Sequence, residues 1–346
     1  MIKTILNQYE NEAHALNDAE IAELLSAQGP DREAVFSAAR RVRAAQFGTN
    51  VFLYGFVYFS TYCRNNCNFC YFRCGNNQPP RYRKMPEEII ETAVSLKESG
   101  VHLIDLTMGE DPYYTEHPER LADLVQMIKQ KTGLAVMVSP GVVSDDCIRQ
   151  LAQAGADWYA LYQETHNPEL FRKLRADQSY EARMHCKMFA KSLGICIEEG
   201  LLTGVGETVK DRIHSFREME RMGAMQVRTM TFVPQAGTPM MIQKQSDFSD
   251  ELLNIAVMRM LFPDRLIPAS LDVDGLNGLE SRLMAGANVI TSIIPPREGY
   301  AGVAHASQDI DEGYRTVAGV RDTVLACGLH PATADEYQAW LRRIRK

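Results

Sequence analysis

The chain has 346 residues, 45% hydrophobic and 23% charged, which suits a folded protein with a sizeable core and is too apolar for disorder. Its 37 basic and 44 acidic side chains leave a net charge of −7 and a pI near 5.7, without the basic excess that a phosphate backbone demands, so no nucleic-acid partner is expected. Charges interrupt the apolar positions of the N-terminus, and no apolar run approaches the roughly 18 residues of a membrane span; the expectation is a cytoplasmic protein with no membrane association and with reduced thiols.

Residues 1–48 read as a helical extension ahead of one large domain, 49–346. Asn17 and Glu20 have capping-box spacing before Ile21, Leu24 and Leu25, and Asp31 is placed to cap a helix carrying Val35, Ala38, Val42 and Ala45. Such an extension reads as a lid or a base. The arginines of RRVR, at 40–43, read as a solvated helix face.

From residue 51 short apolar runs alternate with amphipathic helical patterns, the signature of parallel βα units. Strands are expected near 51–58, 102–107, 134–139, 157–162, 195–202, 225–231, 266–271 and 288–293. Helices are expected to open at Pro86, Pro118, Ser144, Ser179, Glu207, Ser249, Leu276 and Asp309, and Gly100, Gly155, Gly194, Gly223 and Gly286 to close five of them. Eight units imply a (βα)8 TIM barrel, with one last helix in 329–346, and they place the chemistry on loops just past the strands.

The loop after the first strand, YCRNNCNFCYFRC at 62–74, holds four of the eight cysteines. Cys63, Cys67 and Cys70 stand as C-x3-C-x2-C. Three thiolates hold three corners of a four-iron cluster and leave one iron open, as a catalytic site requires. A structural zinc site with Cys74 as fourth ligand is the alternative. A two-cluster ferredoxin run has different gaps and a proline after its last cysteine. Asp105 stands inside an apolar second strand, where a carboxylate needs a partner. Arg228 lies inside the sixth strand, and Ser270 and Asp272, two apart at the end of the seventh, share a face. If they converge, these four make an amino-acid-shaped pocket; the plainer reading is an internal salt bridge from Arg228 to Asp105 or Asp272. His102, His185 and His214 have no spaced partner and read as core or surface residues.

The cysteine spacing, with the aromatic Phe69 before Cys70, resembles the C-x3-C-x-(aromatic)-C signature of the radical S-adenosylmethionine (SAM) superfamily. The resemblance implies a [4Fe-4S] cluster on Cys63, Cys67 and Cys70, SAM on its open iron, and Phe69 beside the base. Met108, Gly109 and Glu110 resemble the superfamily's GGE motif, with Met108 replacing the first glycine, although a plain βα turn also explains them. Glu164 of QET and Arg183 resemble positions that hold SAM's polar groups in the branch containing biotin synthase, where a surface ion pair is the plainer reading. Ser139 of SPGV is assigned to the SAM site by the same likeness. GLLTGVGE, 200–207, resembles G-x-I-x-G-x-x-E, with Gly204 among the glycines that let backbone approach the adenine and ribose.

Within that branch, YFSTYC, HLIDLTMGEDPYY, SPGV, LYQET, LTGVG, TFVPQ-x-GTP and IPASLD resemble segments of the methylornithine synthases. This implies isomerisation of L-lysine to (3R)-3-methyl-D-ornithine in pyrrolysine biosynthesis through a 5′-deoxyadenosyl radical, with Asp105, Arg228, Ser270 and Asp272 on the substrate and no side chain as general acid or base. An electron donor such as ferredoxin or flavodoxin is implied as well. The rivals are a radical SAM enzyme of the biotin-synthase-like branch acting on another small molecule, and a non-catalytic iron-sulfur or zinc scaffold. Sulfur insertion would need further cysteines on barrel strands; Cys147 and Cys186 fall in helical stretches and Cys196 at the start of its strand.

Overall fold

The computed structural model describes residues 1–12, 14–295 and 314–345. Its wall is eight strands: β1 (Asn50–Ser60), β2 (Leu103–Met108), β3 (Ala135–Ser139), β4 (Trp158–Ala160), β5 (Cys196–Thr203), β6 (Gln226–Thr231), β7 (Pro268–Ser270) and β8 (Val289–Ile293). They pair in parallel in the order β6-β5-β4-β3-β2-β1-β8-β7, and a parallel bridge from Gln226 to Leu266 brings β6 to the approach of β7. The expected eight-stranded barrel is thus the observed one. A short strand, β9 (His330–Pro331), adds to the start of β1.

Fourteen helices accompany the wall among the described residues: α1 (Ile2–Asn11), α2 (Asp18–Leu25), α3 (Gly29–Phe47), α4 (Pro86–Ser99), α5 (Pro112–Thr115), α6 (Pro118–Thr132), α7 (Asp145–Ala154), α8 (Pro168–Leu174), α9 (Tyr180–Ser192), α10 (Val209–Met222), α11 (Ser249–Leu261), α12 (Leu279–Met284), α13 (Val317–Ala326) and α14 (Ala334–Ile344). Pro86, Pro118 and Ser249 open helices as expected, and the hydroxyls of Ser144 and Ser179 cap α7 and α9. Thr208, not Glu207, caps α10, because its hydroxyl and Asp211 complete a capping box. Leu276 falls in a 3-10 turn ahead of α12, and the opening expected at Asp309 lies outside the described residues.

Alternation along β1 sends Phe52, Tyr54, Phe56 and Tyr58 inward and Leu53, Val57 and Phe59 toward the helices. The inward residues divide the interior. Below, Phe52, Tyr54, Leu103, Met137, Trp158 and Val289 form one apolar cluster with Tyr337, Trp340 and Leu341 of α14, so the last helix closes the bottom of the barrel. Trp340 stacks on Trp158 with centroids 6.1 Å apart and planes 3° from parallel. Above, Phe56 and Tyr58 meet Tyr71 and Phe72 of the cysteine loop. The polar residues lie between these layers.

The N-terminal helices are neither lid nor base. They pack against the outer wall, where α2 and α3 lie on α11, and α2 also touches α10. This covers the second face of α11 and explains why Leu253 through Met260 are all buried. The Asn17–Glu20 capping box forms, but Gln28 precedes α3 and Asp31 sits in its first turn, because Pro30 starts the helix earlier. Arg43 departs from the solvated reading of RRVR: it is buried, with Nη1 donating to the carbonyls of Leu283 and Ala287. No described helix is long and apolar enough to cross a membrane.

Because Trp340 is 6% exposed and closes the lower cluster, Trp340→Ala should cost about 3–5 kcal/mol. Chemical denaturation checks this, and an unchanged midpoint would mean that α14 is not part of the cooperative core.

Candidate active site at the barrel mouth

The cysteine loop leaves β1 at Ser60 and is held by polar staples. Arg81 donates to the carbonyls of Thr61 (2.5 Å), Phe72 (2.9 Å), Arg73 (2.7 Å) and Asn76 (3.0 Å), drawing the loop around one guanidinium. Asn68 ties it to the end of α8, its backbone N–H reaching Leu174 O at 2.8 Å and its Nδ2 reaching Lys173 O at 2.7 Å. Gly109 brings the β2 loop against it: a Cβ there would overlap the Tyr62 carbonyl oxygen and crowd Cys63. The glycine of MGE is therefore required by close approach of protein backbone, quite apart from any ligand.

Cys63, Cys67 and Cys70 line one cavity; Cys74 does not line it and is exposed, its backbone N–H bonded to Asn65 O at 2.7 Å. A structural zinc would need a fourth ligand beside the three thiols, and Cys74 does not stand with them at the cavity. Burial pushes the Cys63 thiol up to about 11 and, with the neighbouring thiols, raises Cys70 further; iron must bind them as thiolates and so release protons.

The cavity beside the three thiols is open on one side. Phe69, Met108, Gly109, Glu110, Ser139, Glu164 and Arg183 all line it. Gly204 does not. Its turn is closed by Glu207, whose carboxylate accepts the N–H groups of Gly204 at 3.0 Å and Val205 at 2.9 Å, while Leu202 reaches the cavity.

Glu164 and Arg183 are both buried, which excludes the surface ion pair. Nor do they pair with each other. Glu164 pairs with Arg175 at 2.5 Å, and Arg183 reaches Glu110 at 3.5 Å and the carbonyl of Tyr162 at 2.6 Å. Burial, followed by the charge of Arg175, lowers the Arg183 guanidinium to about 10.

Glu164 has φ +66°, a left-handed conformation that costs a non-glycine residue about 1–3 kcal/mol and is held only by its surroundings. The pair Glu198–Glu199 explains how. On alternating faces of β5, Glu199 points out to Lys187 of α9 and accepts the N–H groups of Gln163 (2.7 Å) and Gly200 (2.8 Å), pinning the QET turn. Glu198 points in.

The inward side chains meet beneath the cavity. Arg228 donates Nε to Glu198 at 2.7 Å and Nη1 to Thr291 at 3.3 Å; its expected partners, Asp105 and Asp272, are not the ones it bonds. Glu198 also accepts the Tyr162 hydroxyl at 2.9 Å. Asp272 pairs with Arg315 at 3.1 Å and accepts from Ser292 (2.6 Å) and Ser270 (3.4 Å). Asp105 has no ion pair among the described residues and accepts one hydrogen bond, from Thr107 at 3.0 Å. Burial first, then the charges of Glu198 and Asp272, push its carboxyl up to about 7 against the pull of Arg228. All four expected residues thus reach one layer. Glu198 was legible as one of two adjacent acids in an apolar strand; Arg175, Gln178 and Arg315 carried no such signal.

Cys147 and Cys186 are buried under the outer helices and Cys196 in the lower cluster, and none of them lines the cavity. His102 is a core residue: Nδ1 accepts the Leu53 N–H and Nε2 contacts Ala332 O, both at 2.8 Å. His185 and His214 are at the surface.

A parallel barrel with a three-cysteine set in its first loop and a cavity beside it is the arrangement of the radical SAM class. The Radical SAM superfamily model matches residues 57–219. The chain is 45% identical over 331 residues to 3-methylornithine synthase of Methanosarcina barkeri, covering 95% of this chain and 94% of that protein, and 46% identical to that of Methanosarcina acetivorans, covering 96% and 95%. A crystal structure of methylornithine synthase superposes with a TM-score of 0.91 at 44% identity, covering 98% of this chain and 99% of that one. The chain belongs to the methylornithine synthase family of radical SAM enzymes. Membership brings a [4Fe-4S] cluster and SAM, which the thiol triad and the lined cavity fit.

Cys74→Ala should leave iron content near the parental level after anaerobic reconstitution, whereas Cys67→Ala should abolish cluster binding. Equal loss in both would make the site a four-thiol one.

Proposed function

We propose that the chain isomerises L-lysine to (3R)-3-methyl-D-ornithine for pyrrolysine biosynthesis, with lysine held in the polar layer beneath the cluster cavity. The family supports the reaction. The charge of the layer supports the placement: among the described residues three carboxylates, Asp105, Glu198 and Asp272, face two guanidiniums, Arg228 and Arg315. One negative charge is in excess, and lysine, with two ammonium groups and one carboxylate, carries one positive charge. A buried charge without a partner is costly, so Asp105 is the group that a substrate ammonium would satisfy. Arg228 holds Nε and Nη1 to protein and leaves Nη2 for the substrate carboxylate, while Ser270 and Asp272 receive the second ammonium.

Cys63, Cys67 and Cys70 would hold the cluster, and Glu164, Arg183, Ser139 and the strand-end backbone at 108–110 would hold SAM. When bound, the two supply a carbon radical able to take a hydrogen atom from an unactivated C–H bond. The chain's own contribution is placement and shielding. The cavity lies directly above the layer, sharing Thr107, Tyr162 and Met230 with its surroundings, so the substrate carbon comes within reach of the cofactor. The closed lower cluster and the aromatic wall of Phe56, Tyr58 and Phe72 exclude water from fragments that must recombine. A cytoplasmic one-electron donor such as ferredoxin or flavodoxin completes the system.

Asp105→Asn separates binding from folding. It removes an uncompensated buried charge, so the thermal midpoint should stay parental or rise, SAM cleavage without substrate should persist, and methylornithine formation from lysine should be lost. Normal turnover would remove Asp105 from the substrate site. Asp272→Asn should instead strand Arg315 and destabilise by about 3–5 kcal/mol.

The raised carboxyl of Asp105 also sets a pH dependence. Unfolded, it releases its proton near pH 4; folded and without substrate, only near 7. The folded state therefore binds more protons in that window, and its stability falls as pH rises from about 4 to about 7. A substrate ammonium favours the ionised form, so lysine affinity should strengthen as pH rises from 6 to 8, and lysine should raise the thermal midpoint more at pH 8 than at pH 6. A flat profile would mean that Asp105 does not receive an ammonium.

A further inference from the structure

The three cluster thiols are not equivalent. Cys63 receives the backbone N–H of Asn65 at 3.5 Å, and Cys70 that of Phe72. Among the described residues Cys67 is the thiol that receives side-chain donors: Arg175 Nη1 at 3.4 Å and Gln178 Nε2 at 3.0 Å. Neither donor is free to drift. Arg175 is buried, its Nη2 is bound to Glu164 and to the Tyr162 carbonyl at 3.1 Å, and its guanidinium lies 5.3 Å from the Phe69 ring centroid. Gln178 is oriented by Arg183, whose Nη1 donates to its Oε1 at 3.1 Å and so turns the amide nitrogen toward the sulfur.

We propose that Arg175 and Gln178 set the reduction potential of the bound cluster through Cys67, each favouring the reduced state. Reduction adds one electron from an external low-potential donor, with no bond broken and no proton moved. The added negative charge is shared with the thiolate sulfurs, and hydrogen bonds to cluster sulfurs are a principal determinant of such potentials. A guanidinium held in a poorly solvated wall acts more strongly than it would in water. The same guanidinium is ion-paired to Glu164, so one side chain joins the cluster's ligand to a carboxylate of the cofactor cavity.

The inference rests on Cys67 being a ligand, and failure of that reading would show separately, as full iron content in Cys67→Ala. The test is an EPR-monitored redox titration of anaerobically reconstituted protein without SAM. In both Arg175→Gln and Gln178→Ala the midpoint should move to more negative potential at parental iron content. Arg175→Lys, which keeps the charge but loses the planar fork, should move it less than Arg175→Gln. The exposed Lys173→Gln, a cation of the adjoining helix end, should not move it. Coincident midpoints for parent, Arg175→Gln and Gln178→Ala would overturn the proposal, as would an equal shift from Lys173→Gln. Should Arg175→Gln fail to hold iron, Gln178→Ala decides alone, because it removes a neutral amide and breaks no ion pair.

Discussion

The barrel interior holds one buried carboxylate, Asp105, that has no basic partner among the described residues. Burying an ionised acid is unfavourable enough that it pairs, or keeps its proton. In the barrel interior Glu198 finds Arg228 and Asp272 finds Arg315, while among the described residues Asp105 has only the Thr107 hydroxyl. The lower apolar cluster, closed by α14, denies the layer water from beneath. Above it stands the cavity of the cysteine loop.

Two kinds of buried ion pair serve two purposes. Arg228–Glu198 sits inside the wall, in the polar layer. Lys187–Glu199 sits outside it, where the Glu199 carboxylate takes the backbone N–H groups of Gln163 and Gly200 and keeps Glu164 in a strained turn facing the cavity. Adjacent residues on one strand thus build the inner polar layer and the wall of the cavity because side chains alternate across a sheet. Arginines also hold chain segments without any acid: Arg81 gathers four carbonyls of the cysteine loop, and Arg259 binds the carbonyls of Phe262, Pro263, Arg265 and Gly286 where α11 hands over to β7. Such staples let irregular backbone be buried without orphaned carbonyls.

The barrel was legible in the sequence, because eight apolar runs separated by capped amphipathic helices leave few other ways to bury both sides of a parallel sheet. The sequence also showed the cysteine spacing, the need of Asp105 for a partner and the shared face of Ser270 and Asp272, all of which follow from local pattern. Only the tertiary structure decided the partners. Arg228 bonds Glu198, and Asp272 bonds Arg315, because registry between strands and the path of distant loops determine which charges meet, and neither is written in local periodicity. For the same reason the sequence mistook Arg43 for a solvent-facing residue and the N-terminal helices for a lid or base: a helix's own pattern shows that it has a face to bury, and the second face of α11 had to exist before anything could say against what.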